Sequence, residues 1–130
     1  MIVDTSVLIA ILLDEPERLV FANALGDAES RRMSAATLLE TAIVIDGNRD
    51  AILSRKLDQL LARMAIAIEP VTEAQVHIAR AAYRDFGKGS GHPAQLNFGD
   101  CFSYALAKDK SEPLLFKGTD FGKTDVKVAV

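Results

Sequence analysis

Four acidic side chains stand in company that ordinary surface charges do not keep. Asp4 ends the apolar run Met1-Ile2-Val3 and is followed by Thr5-Ser6. Glu40 is embedded in Thr37-Leu38-Leu39-Glu40-Thr41-Ala42-Ile43, Asp100 in Asn97-Phe98-Gly99-Asp100-Cys101-Phe102, and Asp120 in Phe116-Lys117-Gly118-Thr119-Asp120-Phe121. Each has a simpler reading taken singly. Asp4 and Asp120 suit turns or helix caps, Glu40 suits a solvent stripe, and Asp100 suits the first turn of a helix, where the dipole favours an acid. Taken together they suggest a cluster, because two follow predicted strands and two lie on predicted helices that can border the same sheet edge. A like-charge pair at ~4 Å costs about 4 kcal/mol at an effective dielectric of 20. Such a cluster is tolerated only if protons or divalent cations neutralise it. Oxygen-only ligands suit Mg²⁺ or Mn²⁺ better than Zn²⁺, and no His or Cys set competes for the role.

Other polar residues carry less chemistry. Asp14, Glu15, Glu17, Asp27, Glu29, Asp58 and Glu112 sit among polar neighbours and read as solvated, while Asp46 and Asp125 are weaker company for the four. His77 and His92 read as surface histidines. The single cysteine, Cys101, allows no disulfide within the chain and reads as a small core residue beside Phe102 and Ala105. The loop Gly87-Lys88-Gly89-Ser90-Gly91 lacks the spacing and the Lys-Ser/Thr ending of a nucleotide-binding P-loop. Lys88 in that loop and Lys117 beside Asp120 are possible phosphate contacts, or simply solvated lysines.

The elements that must position these residues follow from apolar period and capping signals. Met1–Val3 reads as a strand, and Ser6 as the cap of a short buried helix Val7–Leu13. Pro16 suits the first turn of a second helix running toward Gly26. Arg31–Met33 is a short strand, and Ser34 caps a helix Ala35–Ile45 closed by Gly47. Between Arg49 and Ala65, Ile52, Leu53, Leu57, Leu60, Leu61 and Met64 recur at helical spacing. Ile66–Val71 alternates as a strand. Thr72 and Gln75 form a capping box for a helix with Val76, Ala79, Ala82 and Tyr83 inward. Gly87–Leu96 is a loop, Asn97 caps a helix Phe98–Lys108, Leu114–Phe116 is a buried strand, and Val126–Val130 is a weak last strand. Short strands alternating with helices predict a single-domain α/β/α sandwich over residues 1–130, with a mostly parallel central sheet. In such folds ligands gather beyond the carboxyl ends of the strands, where Asp4 lies.

Bulk properties bound this picture. At 130 residues, 49% hydrophobic and 25% charged, the chain is sized for one ordinary core and excludes disorder. The net charge of −3 is unusual for a nucleic-acid enzyme but expected if carboxylates hold cations that supply the positive charge. The first residues lack the basic start of a signal peptide, and Val7–Leu13 is too short to span a bilayer. A cytoplasmic location and no membrane partner are the expectation.

The segments Ile2–Ser6, Ser34–Ala42, Leu96–Ala105 and Leu114–Phe121 together resemble a PIN domain, specifically a VapC-type toxin, and the resemblance spans nearly the whole chain. Gly118 stands where that family more often carries Asn. The resemblance implies a Mg²⁺- or Mn²⁺-dependent endoribonuclease acting on RNA, a homodimer, and inhibition by a small VapB-type antitoxin. In this reading Asp4 and Asp100 are the main metal ligands, directly or through water. Glu40 completes the shell or orients the attacking water, and Asp120 serves a second ion or the outer shell. Thr5 and Ser103 keep the carboxylates aimed. One rival, a phosphoryl-transfer enzyme with Asp4 as covalent nucleophile, wants an Asp-x-Asp pair, and position 6 is Ser. The other is a PIN-like RNA- or protein-binding module without turnover, against which stands the presence of all four acids.

Overall fold

The computed structural model describes residues 1–130. In chain order it contains β1 (Ile2–Val3), α1 (Thr5–Leu12), α2 (Arg18–Asp27), β2 (Arg32–Ser34), α3 (Ala35–Asp46), α4 (Ala51–Arg63), β3 (Ala67–Glu69), α5 (Glu73–Phe86), α6 (Phe98–Lys110) and β4 (Leu114–Leu115), then a 3-10 turn at Phe121–Lys123. The strands form one parallel sheet in the order β3-β2-β1-β4. Ile2 pairs with Leu114 and Val3 with Leu115. Successive strand residues point to opposite faces, so these two pairs found two cores. Val3, Met33 and Leu115 pack with Val7, Leu8, Leu25, Ile45 and Leu57 from α1 to α4. Ile2 and Leu114 pack on the other face with Ala82, Leu96, Tyr104 and Leu106 from α5, α6 and the segment before it. The result is the expected α/β/α sandwich. No helix is long and apolar enough to cross a membrane.

Several local expectations need correcting. The cap of α1 is Asp4 rather than Ser6, because the helix starts at Thr5 and Asp4 accepts from the Ser6 amide. Pro16 lies ahead of α2: Glu15 to Arg18 closes as a turn, with the Arg18 amide donating to the Glu15 carbonyl at 3.0 Å. On α5, Thr72 accepts from the Gln75 amide at 3.2 Å, but the Gln75 side chain is buried and donates to Asp109 at 3.0 Å, so the capping box is half made. The inward row of α5 is Gln75, Ile78, Ala79, Ala82 and Phe86, an i, i+3, i+4 stripe against α6, and Val76 and Tyr83 turn outward. Val126–Val130 adds one bridge, Leu114 to Val128, since β4 is only two residues long and offers no longer edge.

Candidate active site

At the carboxyl ends of β1 and β4 the sheet opens into a hollow of about 300 Å³, lined among others by Asp4, Thr5, Glu15, Glu40, Asp100 and Lys117. Asp4 stands at the seam between the two strands because its amide donates to the Leu115 carbonyl at 3.1 Å. Its side chain is almost fully buried. One carboxylate oxygen accepts from the Ser6 amide (3.1 Å) and the Ser6 hydroxyl (2.7 Å), and the other accepts from the Ser103 hydroxyl (2.6 Å).

Glu40 enters from α3, whose start Ser34 caps by accepting from the Ala36 amide at 3.3 Å. Glu40 Oε1 accepts from Thr5 Oγ1 at 2.6 Å. Asp100 enters from the first turn of α6, where Asn97 and Asp100 make a complete capping box: Asn97 Oδ1 accepts from the Asp100 amide at 2.8 Å, and Asp100 Oδ2 accepts from the Asn97 amide at 2.9 Å. The capping role and the site role of Asp100 therefore coexist, because the box occupies one oxygen and leaves Oδ1 without a protein donor.

The charges interact. The Asp100 carboxyl is pushed up to about 6, chiefly by burial, with the Asn97 amide opposing and the carboxylates of Asp4, Glu40 and Asp120 adding to the rise. Asp120 thus makes itself felt in the site although it is exposed, makes no side-chain cap and does not line the hollow. It follows Gly118, whose φ of +97° is the left-handed conformation that glycine adopts freely. The one cation at the hollow is already spoken for. Lys117 donates to Glu15 at 2.8 Å and pairs with Glu17 at 3.2 Å, and these two carboxylates hold its pKa above the ordinary lysine value. Lys88 is exposed, unpaired and outside the hollow.

The donor chemistry fits an oxygen-preferring divalent cation, since carboxylates, hydroxyls and an asparagine line the hollow, and burial, with the neighbouring carboxylates adding to it, has raised Asp100. No three acidic, His or Cys side chains stand so that they could clasp an ion by themselves. A cation held there would take part of its shell from water.

Of the residues singled out in the sequence, Asp4, Thr5, Glu40, Asp100, Ser103 and Lys117 come together, Asp120 stands at the edge, and Lys88 stays apart. Asp125 lies elsewhere, accepting from Tyr104 and, at 3.0 Å, from Lys108, and Asp46 accepts from Ser54 at 2.7 Å. Three residues join the site that the sequence alone does not single out: Glu15, whose polar neighbours make it look solvated, and two buried hydroxyls, Thr37 and Thr41, beneath Glu40. Their signal was present: threonines one turn apart in an otherwise apolar helix, with Glu40 adjacent to the second.

The PIN domain family model matches residues 1–127. Ribonuclease VapC28 of Mycobacterium tuberculosis is 59% identical over 130 residues, covering 100% of this chain and 98% of that protein. Among solved structures, Mycobacterium tuberculosis VapC20, described as a sarcin-ricin loop cleaving toxin, superposes with a TM-score of 0.76 at 17% identity, covering 99% of this chain and 97% of the other. A toxin–antitoxin complex from Klebsiella pneumoniae contains a chain that superposes with a TM-score of 0.67 at 17% identity, over 92% and 88% of the two chains. Those two likenesses speak for the fold, and the family match and the 59% identity speak for kinship. By the family match over residues 1–127 and the 59% identity over its whole length, the chain belongs to the PIN-domain family and, within it, to the VapC proteins.

Proposed function

We propose that this protein is a Mg²⁺- or Mn²⁺-dependent endoribonuclease that hydrolyses RNA phosphodiester bonds, and that it is the toxin of a VapBC-type toxin–antitoxin pair. The observation that carries the reading is the meeting of Asp4, Glu40 and Asp100 around one hollow at the carboxyl end of the sheet, in a chain 59% identical to a ribonuclease. Asp4 and Asp100 hold the cation, directly or through water. When bound, the cation lowers the pKa of a water and offsets the charge that grows on the phosphoryl oxygens. Glu40 orients the attacking water or completes the shell, and Asp120 serves the outer shell or a second ion. Thr5 and Ser103 donate to Glu40 and Asp4 and keep them aimed. Lys117, fixed by Glu15 and Glu17 at the mouth, meets a backbone phosphate, and Lys88 meets the strand further out.

The partners in this reading are an RNA, a VapB-type antitoxin and a second copy of the chain. Leu39, Ile43 and Phe98 are 61%, 64% and 77% exposed, and apolar hollows of about 460 and 470 Å³ flank Phe98. Such a continuous apolar face on α3, α5 and α6 supports self-association.

The test is cleavage of a panel of structured RNAs with Mg²⁺, Mn²⁺ or EDTA, beside Asp100→Asn. Discrete cuts that need metal and vanish in the variant are expected. Absence of both cleavage and metal-dependent stabilisation would favour a binding module without turnover.

A further inference from the structure

Beneath the acids, α3 carries two hydroxyls one turn apart, and neither reaches solvent: Thr37 is 1% exposed and Thr41 is 0% exposed. A buried hydroxyl needs partners, and following the protons shows where these lead. Thr5 Oγ1 lies 2.6 Å from Glu40 Oε1 and 3.2 Å from the Thr37 carbonyl. A hydroxyl has one proton, and the short contact to a carboxylate is the stronger claim on it. With its proton on Glu40, Thr5 can only accept from Thr41 Oγ1, 3.0 Å away. Thr41 Oγ1 also lies 2.8 Å from the Thr37 carbonyl, whose second lone pair is free, so its one proton is shared in a three-centre bond between that carbonyl and Thr5 Oγ1.

The same reasoning applies one turn back. Ser103 Oγ, itself fully buried, lies 2.6 Å from Asp4 Oδ1 and 3.3 Å from Thr37 Oγ1. Its proton belongs to Asp4, so Thr37 is the donor in the second contact.

We infer that Thr37 and Thr41 are positioning residues for the two acids, through a pair of parallel hydroxyl relays: Thr41 to Thr5 to Glu40, and Thr37 to Ser103 to Asp4. Because threonines four residues apart share one helix face, a single rigid helix aims both carboxylates at once. Each relay polarises toward its acid, and a donor to the terminal hydroxyl strengthens the bond that hydroxyl makes. The inference rests on the proposed metal-dependent reading of the site.

The test compares Ser with Ala at each position. Thr41→Ser and Thr41→Ala both remove the methyl group and differ by one hydroxyl, as do Thr37→Ser and Thr37→Ala. Thermal unfolding midpoints are followed as Mn²⁺ alone is titrated into each protein. The Ala variants should need about 10-fold more Mn²⁺ than their Ser counterparts for half of the stabilisation, and the Ser variants should stay within about twofold of wild type. Differences in helix propensity move the metal-free midpoint and leave the Mn²⁺ concentration dependence alone. Ser and Ala variants with equal Mn²⁺ dependence, in a protein whose wild type does respond to Mn²⁺, would overturn the relays alone. A wild type indifferent to Mn²⁺ would overturn the metal reading, and the relays with it.

Discussion

A methyl group on Gly99 would sit 1.9 Å from Glu40 Oε2 and 2.7 Å from Glu40 Cδ. The first turn of α6 and the Glu40 carboxylate of α3 therefore share one space, and the bare Cα at position 99 is what lets them. Gly99→Ala forces the far end of a flexible side chain aside, which the fold tolerates. Gly inside a helix is less favourable than Ala by about 1 kcal/mol, so the variant should unfold at the same temperature or slightly higher. Its RNA cleavage should fall by about 100-fold, in the range seen when supports of a metal site are lost. Thermal unfolding beside cleavage kinetics checks this, and an active, stable variant would contradict the placement of Glu40 in the reaction.

The raised Asp100 carboxyl makes the metal-free protein sensitive to pH. A group whose pKa rises on folding, here from an ordinary 3.8 to about 6, lends its stability below the unfolded value. That stability is lost as the pH climbs through the folded value. In EDTA the unfolding midpoint of wild type should therefore fall between about pH 4 and 7 relative to that of Asp100→Asn. Mn²⁺ should oppose the fall. Parallel curves for the two proteins in EDTA would sink the prediction.

Lys117 is tied to Glu15 and Glu17, and its amide also donates to Ser6 Oγ at 2.9 Å, the hydroxyl that bonds Asp4. A lysine so fixed at the mouth is positioned to meet one phosphate. Lys117→Met should weaken binding of a single-stranded RNA in EDTA and reduce the slope of log affinity against log salt by about 0.7, one counterion's share. Lys117→Arg should restore most of it. Fluorescence anisotropy over a salt series measures the slope, and an unchanged slope would remove Lys117 from the phosphate contacts.

The apolar face gives a separate prediction. Ile43→Glu places a charge in the middle of an exposed apolar hollow lined also by Leu39 and Phe102. In sedimentation velocity the wild type should run as a dimer and Ile43→Glu as a monomer, without lowering the unfolding temperature by more than about a degree, as for most exposed substitutions. A wild type that sediments as a monomer would place the second copy elsewhere or nowhere.

Much of this protein was determined locally. Helices and short strands alternate where apolar period and caps say they should, because Ser34, Thr72 and Asn97 act on amides two or three residues away. The four acids stood out for the same reason: a carboxyl after an apolar strand or inside an apolar helix contradicts its immediate neighbours. What the tertiary structure decided was everything carried by contacts between distant residues. Glu15 looks solvated beside Asp14 and joins the site only because Lys117, 102 positions later, reaches it. Ser103 meets Asp4 across 99 positions, and Thr37 and Thr41 gain their partners only once α3 lies against α1 and α6. Val76 and Tyr83 look inward by helical period, yet the face that α5 buries is set by the shape of α6, which takes the stripe from Gln75 to Phe86. A period names a stripe to within a residue or so, and only the partner surface chooses which edge of it is covered.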